Sequence, residues 1–265
     1  MTSPKCSYCN APGPLTREHL WPAALHRRHL DVTGEKEHVF WLRRTGTEIA
    51  SEPTVRDVCA TCNNVRLSVL DGYICELFDR LLAFPTSRFQ AIEFEYDYHL
   101  LKRWLLKICF NSARIHNAKD LFVYETLRSY MLGLSTESGR CVQLYLQLSY
   151  PDEVPVSALR EASDAPAMFF PTDNRVGQLW FVAPGVGRKL LRAVHIHSYS
   201  FFLAFFQPGE KSQVMQEFTH HFLVGHEHAA LLRASRTSVS VVCDGMSAWE
   251  SFSGSRENSF IFSDD

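Results

Sequence analysis

The chain of 265 residues has no uninterrupted apolar run of about 18 residues, so no membrane span is expected. Its first ten residues, MTSPKCSYCN, lack the apolar core of a secretory signal, and secretion is not expected. A strong net charge is missing as well: 27 Lys and Arg stand against 29 Asp and Glu, a formal balance of -2. This excludes a strongly basic, nucleic-acid-coating protein as a description of the whole chain. It does not exclude a site that grips nucleic acid through a metal and a few basic groups. There is no internal repeat.

What is present is ordinary in bulk. Hydrophobic residues make up 46% and charged residues 21%, enough for one large or two modest domains with their own cores. Eight cysteines in an unsecreted chain imply a reducing, cytoplasmic compartment. There, paired Cys-x-x-Cys units more often bind metal than form disulfides.

The spacing of apolar residues gives an α+β fold class. Residues 1–90 form one region, small and thiol-rich. Within it, residues 21–36 read as a long His- and Arg-rich loop, and HVFWLRR (38–44) as a short strand. Leu67, Leu70, Ile74, Leu77, Phe78, Leu81 and Leu82 recur at helical spacing, and Pro85 ends that helix. Residues 91–265 read as a helix-then-sheet region without an assigned role. A strong helix covers 98–118, with Lys102, Arg103, Lys107 and Arg114 between its apolar positions. That basic face reads as solvated, the alternative being a run along a nucleic-acid backbone. A short helix is expected over 121–133. From Cys141 the segments CVQLYLQLSY, GQLWFVA, RAVHIHSYSFFLAFF and TSVSVVCD read as strands, and SGSRENSFIFSDD as a weakly ordered tail.

Cys6-x-x-Cys9 and Cys59-x-x-Cys62 lie about fifty residues apart. Four thiolates in two such pairs match a tetrahedral structural zinc site. The long insert is tolerated, because loop-closure cost grows slowly with length. Cys75, Cys109, Cys141 and Cys243 are isolated and read as core residues. The first pair leads into Leu15–Leu25, LTREHLWPAAL, where Glu18 stands beside His19. The second leads into Asn63, Asn64 and Arg66. Zinc would draw these two groups together. A carboxylate and an amide carbonyl suit a hard cation such as Mg2+, a neutral imidazole beside it can take a proton from water, and an arginine can hold phosphate. Such a set makes a one-metal phosphodiesterase.

The set Cys6-x-x-Cys9, Thr16-x-Glu18-His19-x-x-Pro22 and Cys59-x-x-Cys62-Asn63-x-x-Arg66 resembles the zinc-stapled branch of the HNH nuclease superfamily. The resemblance covers residues 5–85, about a third of the chain. It implies a ββα-metal, treble-clef-like core over residues 1–90, and an endonuclease acting on DNA. It implies His19 as general base, Glu18 and Asn63 as ligands of a catalytic Mg2+ or Mn2+, and Arg66 as a phosphate contact. The pattern departs from the family in two places: many members have Asp where Glu18 stands, and the middle Asn has no counterpart. The family's middle Asn falls a few residues before the second cysteine pair, and EPTVRDVC has none. Thr54 and Asp57 are the candidates to fix the backbone there. Asn64 competes with Asn63 for the ligand role, and Asp71 is an additional carboxylate if Asn64 faces the ion.

Two other readings stand beside this one. The first is a zinc-ribbon module that binds nucleic acid or a protein and catalyses nothing. The second, by family association, is an effector in bacterial defence whose residues 91–265 bind a protein partner. His195 and His197, two apart in a strand, would share one face and read as a sheet surface rather than a metal pair. His220, His221, His226 and His228 lack a spaced carboxylate or Cys partner and are not read as a second metal site or a pH sensor.

Overall fold

The two thiol pairs must meet if they share an ion, and the strands that follow and precede them must then run side by side. The computed structural model has this arrangement. It describes residues 3–36, 40–42, 47–49, 52–154 and 168–253. Strand β1 (Leu15–His19) pairs antiparallel with β4 (Thr54–Cys59), Leu15 opposite Cys59 and His19 opposite Thr54. Between them lie helix α1 (Ala23–Thr33) and the short hairpin of β2 (Phe40–Leu42) and β3 (Thr47–Ile49).

Helix α1 corrects the expected loop at 21–36. Pro22 enters it with φ -57°, and Gly34 closes it in the left-handed region at φ 70°, its N–H reaching the Leu30 carbonyl. Only Leu25 and His29 are buried on this helix, too sparse a stripe to show as a period. The short strand expected at 38–44 is seen at Phe40–Leu42; the rest of that segment lies outside the described residues, as does the tail from residue 254.

After β4 the chain turns directly into a long helical rod. Cys62–Leu67 is a π-helical turn, α2 (Ser68–Leu77) continues it, and Phe78–Leu82 widens again to π geometry before Pro85. Leu67, Leu70, Ile74, Leu77, Phe78 and Leu82 are buried, in line with the expected spacing. Helix α3 (Tyr98–Ile115) begins at Asp97, whose side chain accepts the Leu100 N–H at 2.9 Å. It packs against α2 and β4. Twelve of its eighteen residues are buried, so it is the central rod of its unit rather than a surface helix. The segment expected as one helix at 121–133 is a 3-10 turn, Leu121–Tyr124, followed by the single turn α4 (Arg128–Met131).

The chain divides into two units: 1–83 with 97–140, and 84–96 with 141–265. Helix α3, grouped by sequence with residues 91–265, therefore belongs to the cysteine-bearing unit.

The second unit is built on β6 (Val142–Leu148), β9 (Asn174–Ala183), β10 (Gly187–Ile196), β11 (Tyr199–Phe205) and β12 (Ala230–Leu232), antiparallel in the order β12-β6-β11-β10-β9. Two small ladders accompany it: β5 (Ala91–Glu95) with β13 (Ser238–Val242), and β7 (Asp152–Glu153) with β8 (Met168–Phe169). Every residue of β11 is buried. Phe202 and Ala204 face helix α5 (Ser212–Gly225) through Phe218 and Phe222, while Phe201 meets Phe94 of β5 at 5.8 Å between ring centres. A strand covered on both faces reads as one apolar run. The stretch RAVHIHSYSFFLAFF is thus two strands, joined by a two-residue turn at His197 and Ser198, where His197 has φ 51°. His195 and His197 do not share a strand face.

Candidate functional site

The four thiols converge. The ligand atoms of Cys6, Cys9, Cys59 and Cys62 all lie within 4.8 Å of one another, and Cys9 Sγ is 3.7 Å from Cys59 Sγ. A tetrahedron with Zn–S bonds of about 2.3 Å has sulfur–sulfur edges of about 3.8 Å, so the cluster fits a structural zinc ion. The first pair sits in a tight turn: the Asn10 N–H reaches the Cys6 carbonyl at 2.9 Å, with Asn10 at φ 61°. The Cys59 N–H points at Cys6 Sγ at 3.3 Å. Burial works against a Cys6 thiolate, but the backbone N–H groups of Cys59, Cys9 and Tyr8 outweigh it and bring the thiol down to about 7. Burial pushes the Cys62 thiol up, and the neighbouring thiols add to that. A bound cation would stabilise all four thiolates together. Among the described residues this is the one group of three or more His, Cys, Asp or Glu side chains that could hold a metal. The histidines at 195–197 and 220–228 form no such group; His195 is buried, bonds Ser200 Oγ at 2.8 Å, and is pushed well down by its burial.

The staple fixes β1 against β4, and β1 carries the acid–histidine pair. Successive strand residues point to opposite sides. Glu18 accordingly turns into the unit, 4% exposed, while the His19 side chain stays 44% exposed. The ladder slips by one residue between Thr16 and Glu18, where Arg56 and Asp57 of β4 stand opposite Arg17 alone, so the bulge is on β4. Asn63 holds β1 opposite that bulge. Its Nδ2 donates to Thr16 Oγ1 at 3.0 Å and to the Arg17 carbonyl at 2.9 Å.

Glu18 meets helix α3. The Lys107 ammonium lies 2.9 Å from Glu18 Oε1 and 2.7 Å from each carboxylate oxygen of Asp71. Burial works against the Lys107 charge, but Asp71 and Glu18 outweigh it and hold its pKa above the ordinary lysine value. One helical turn on, Asn111 is fully buried and fully used. Its Nδ2 donates to Glu18 Oε1 at 3.2 Å and to the His19 carbonyl at 2.8 Å. Its Oδ1 accepts from Tyr8 Oη at 3.0 Å and from Arg114 Nη2. Arg114 also pairs with Asp57, whose other oxygen accepts from Ser7 Oγ at 2.6 Å.

These contacts relocate the expected roles. The Lys102–Arg114 face is not solvated and does not lie open to a nucleic-acid backbone: Lys102 and Lys107 are 2% and 1% exposed. Asp71 is near Glu18, as an additional carboxylate, but both face an ammonium. The donor set does not fit a divalent ion held between Glu18 and Asn63, because the Glu18 carboxylate is buried against Lys107 and Asn111 while the Asn63 amide is turned to Thr16 and the Arg17 carbonyl. Asn64 is exposed and Arg66 half-buried on the turn after Cys62. Thr54 faces His19 across the ladder, and Asp57 ties the knuckle to α3.

The group that fixes the end of β1 is Glu52. Its Oε2 lies 2.7 Å from His19 Nδ1, and its Oε1 accepts the Trp21 N–H at 3.0 Å. Next to it, the Pro53 carbonyl accepts the Leu20 N–H at 2.9 Å. Sequence reading missed Glu52, Lys107 and Asn111. Lys107 and Asn111 do stand four apart on one helix face, and that spacing was the available signal. Glu52 had none beyond lying where the middle Asn is lacking. The chain matches no protein-family model, no curated protein and no solved structure.

Proposed function

We propose that the cysteine-bearing unit is a zinc-stapled phosphodiesterase of the HNH type, an endonuclease acting on DNA, with His19 as its general base. The observation that carries this reading is the placement of His19. A four-thiol cluster clamps the strand pair β1–β4, and the imidazole stands half-exposed at the end of it, held at Nδ1. That leaves Nε2 to take a proton. In the step proposed, Nε2 accepts a proton from water as the water oxygen bonds to phosphorus. The bond from phosphorus to the sugar oxygen breaks, and that oxygen departs with the electron pair and takes up a proton from solvent water. Arg66, on the first turn after Cys62, would hold a neighbouring phosphate oxygen.

Zinc in this reading is structural: Cys6, Cys9, Cys59 and Cys62 would hold it, and it supplies rigidity. A catalytic Mg2+ or Mn2+ is part of what the resemblance implies. Because the donor set at Glu18 does not fit such an ion, no step is assigned to it.

The second reading is a zinc module that binds nucleic acid or protein without catalysis. The closure of Glu18 by Lys107 favours it, since that carboxylate is then a structural group. The two readings separate on zinc-loaded full-length protein incubated with supercoiled plasmid, single-stranded DNA and RNA, with and without Mg2+ or Mn2+. Nicked or linear DNA bearing terminal phosphates supports the enzyme. Intact substrate in every condition contradicts it and leaves the binding module.

A further inference from the structure

We infer that Glu52 is the positioning residue of this site: it holds His19 with the ring proton on Nδ1 and the free lone pair on Nε2. The inference rests on the reading of His19 as a base, and it replaces the absent middle Asn with a carboxylate that works on the imidazole directly.

The geometry supports it at each contact. His19 is the last residue of β1, and a ring with 44% of its surface exposed would sample several rotamers if nothing held it. Glu52 stands two residues before β4 with its side chain only 10% exposed. Both of its oxygens are used. Oε1 accepts the Trp21 N–H at 3.0 Å, which fixes the carboxylate plane; Oε2 is then presented to Nδ1 at 2.7 Å. That distance is in the range of a charge-assisted bond. The backbone on either side is pinned as well, Leu20 to Pro53 and His19 opposite Thr54. Asn111 fixes the His19 carbonyl from the other side at 2.8 Å.

An ionised carboxylate can only accept, so Nδ1 must donate and Nε2 must be the unprotonated nitrogen. When Nε2 takes the proton of water, the imidazolium that forms lies against a carboxylate already in place. The same division of labour operates in acid–histidine–nucleophile triads, where the acid fixes tautomer and orientation without itself taking the proton. Burial raises the Glu52 carboxyl above the usual range, and the hydrogen bonds from His19 and the Trp21 N–H offset only part of that. A partly desolvated acceptor of this kind binds an N–H donor strongly.

The test uses zinc-loaded full-length protein and the variants Glu52→Gln, Glu52→Ala, His19→Ala and Glu52→Ala/His19→Ala. Zinc content and circular dichroism verify folding, and Glu52→Gln serves if Glu52→Ala does not fold. With 15N-labelled histidine at a pH above the imidazole range, the resonance lost in His19→Ala identifies His19. The wild type is expected to show the tautomer protonated on Nδ1, and the Glu52 variants a shift towards the one protonated on Nε2. An unchanged tautomer in the folded variants overturns the inference.

Plasmid cleavage supplies the second readout. Glu52→Ala should lower kcat at least about 10-fold, in the range found for groups that orient a functional side chain, with KM within about two-fold. The double variant should be no slower than His19→Ala, because Glu52 acts only through the imidazole. Additive losses overturn the inference. If wild type and His19→Ala cleave equally or not at all, the nuclease reading fails, and the tautomer measurement still decides whether Glu52 orients the ring.

Discussion

Replacing Lys107 with methionine isolates the interaction that closes Glu18. The thioether has nearly the length of the lysine stem and lacks the charge. It leaves the Glu18 carboxylate, 4% exposed, and the Asp71 carboxylate with no ammonium between them. Removing one partner of a buried ion pair costs about 3–5 kcal/mol, because the other charge is stranded away from water. The Asp71 side chain is 26% exposed and can be partly rehydrated, which places the expected loss near about 3 kcal/mol. Urea unfolding of the zinc-loaded protein measures it through tryptophan fluorescence, Trp21 and Trp104 being buried in this unit. The double variant Lys107→Met/Glu18→Gln removes one stranded charge and should recover at least half of the loss. The pH dependence has a definite sign. The folded-state pKa of Lys107 is raised, so its stabilisation is fully present below the ordinary lysine value and disappears as pH rises through the raised one. On the alkaline side, the difference between wild type and Lys107→Met should therefore hold from neutral pH and shrink above about pH 10.4. A loss below about 1 kcal/mol, typical of a solvated surface pair, would refute this reasoning. So would a double variant no more stable than the single one.

Other outcomes follow from the same structure. Chelating the zinc, or replacing Cys62 with serine, should unfold the β1–β4 pair while the second unit keeps its sheet; hydrogen exchange resolved by residue would show protection lost at 15–19 and 54–59 and retained at 199–205. Because the ligands must be thiolates, acidification should release the zinc cooperatively, as followed with a chromophoric zinc chelator. In the second unit, Phe222→Ala removes a ring packed tilted against Tyr145 at 4.4 Å and edge-on to Phe202 at 5.5 Å between ring centres. It should cost about 3–5 kcal/mol in denaturant unfolding, the usual range for a buried aromatic, and leave zinc content unchanged.

Much of the staple and the rod after it was legible, because both rest on strong local signals. Two cysteine pairs of equal spacing leave few alternatives to a shared metal, and the apolar residues from Leu67 to Leu82 keep helical spacing across Gly72. What escaped depends on distance in sequence or on charge. Lys107 and Asn111 look like solvated positions in the sequence of α3; only the burial of that helix on nearly every side turns them inward. Glu52 lies 33 residues from His19, in a stretch with no periodicity, and nothing local announces their bond. Helix α1 was hidden for another reason: with two buried residues it has almost no apolar stripe, and its markers are Pro22 at the start and Gly34 at the end. The β10–β11 hairpin turns at His197 and Ser198 without glycine or asparagine, so the two strands read as one.

The proposed function depends on His19 acting as the base at the end of a zinc-stapled strand pair. The most direct measurement is the rate of supercoiled-plasmid cleavage by zinc-loaded wild type and His19→Ala under identical conditions, with zinc content and melting temperature recorded for both. If His19 is the base, the two proteins hold equal zinc, melt within about 2 °C of each other, and the variant cleaves at least about 100-fold more slowly, the lower end of what a general base contributes. Equal rates in two equally folded proteins would contradict it.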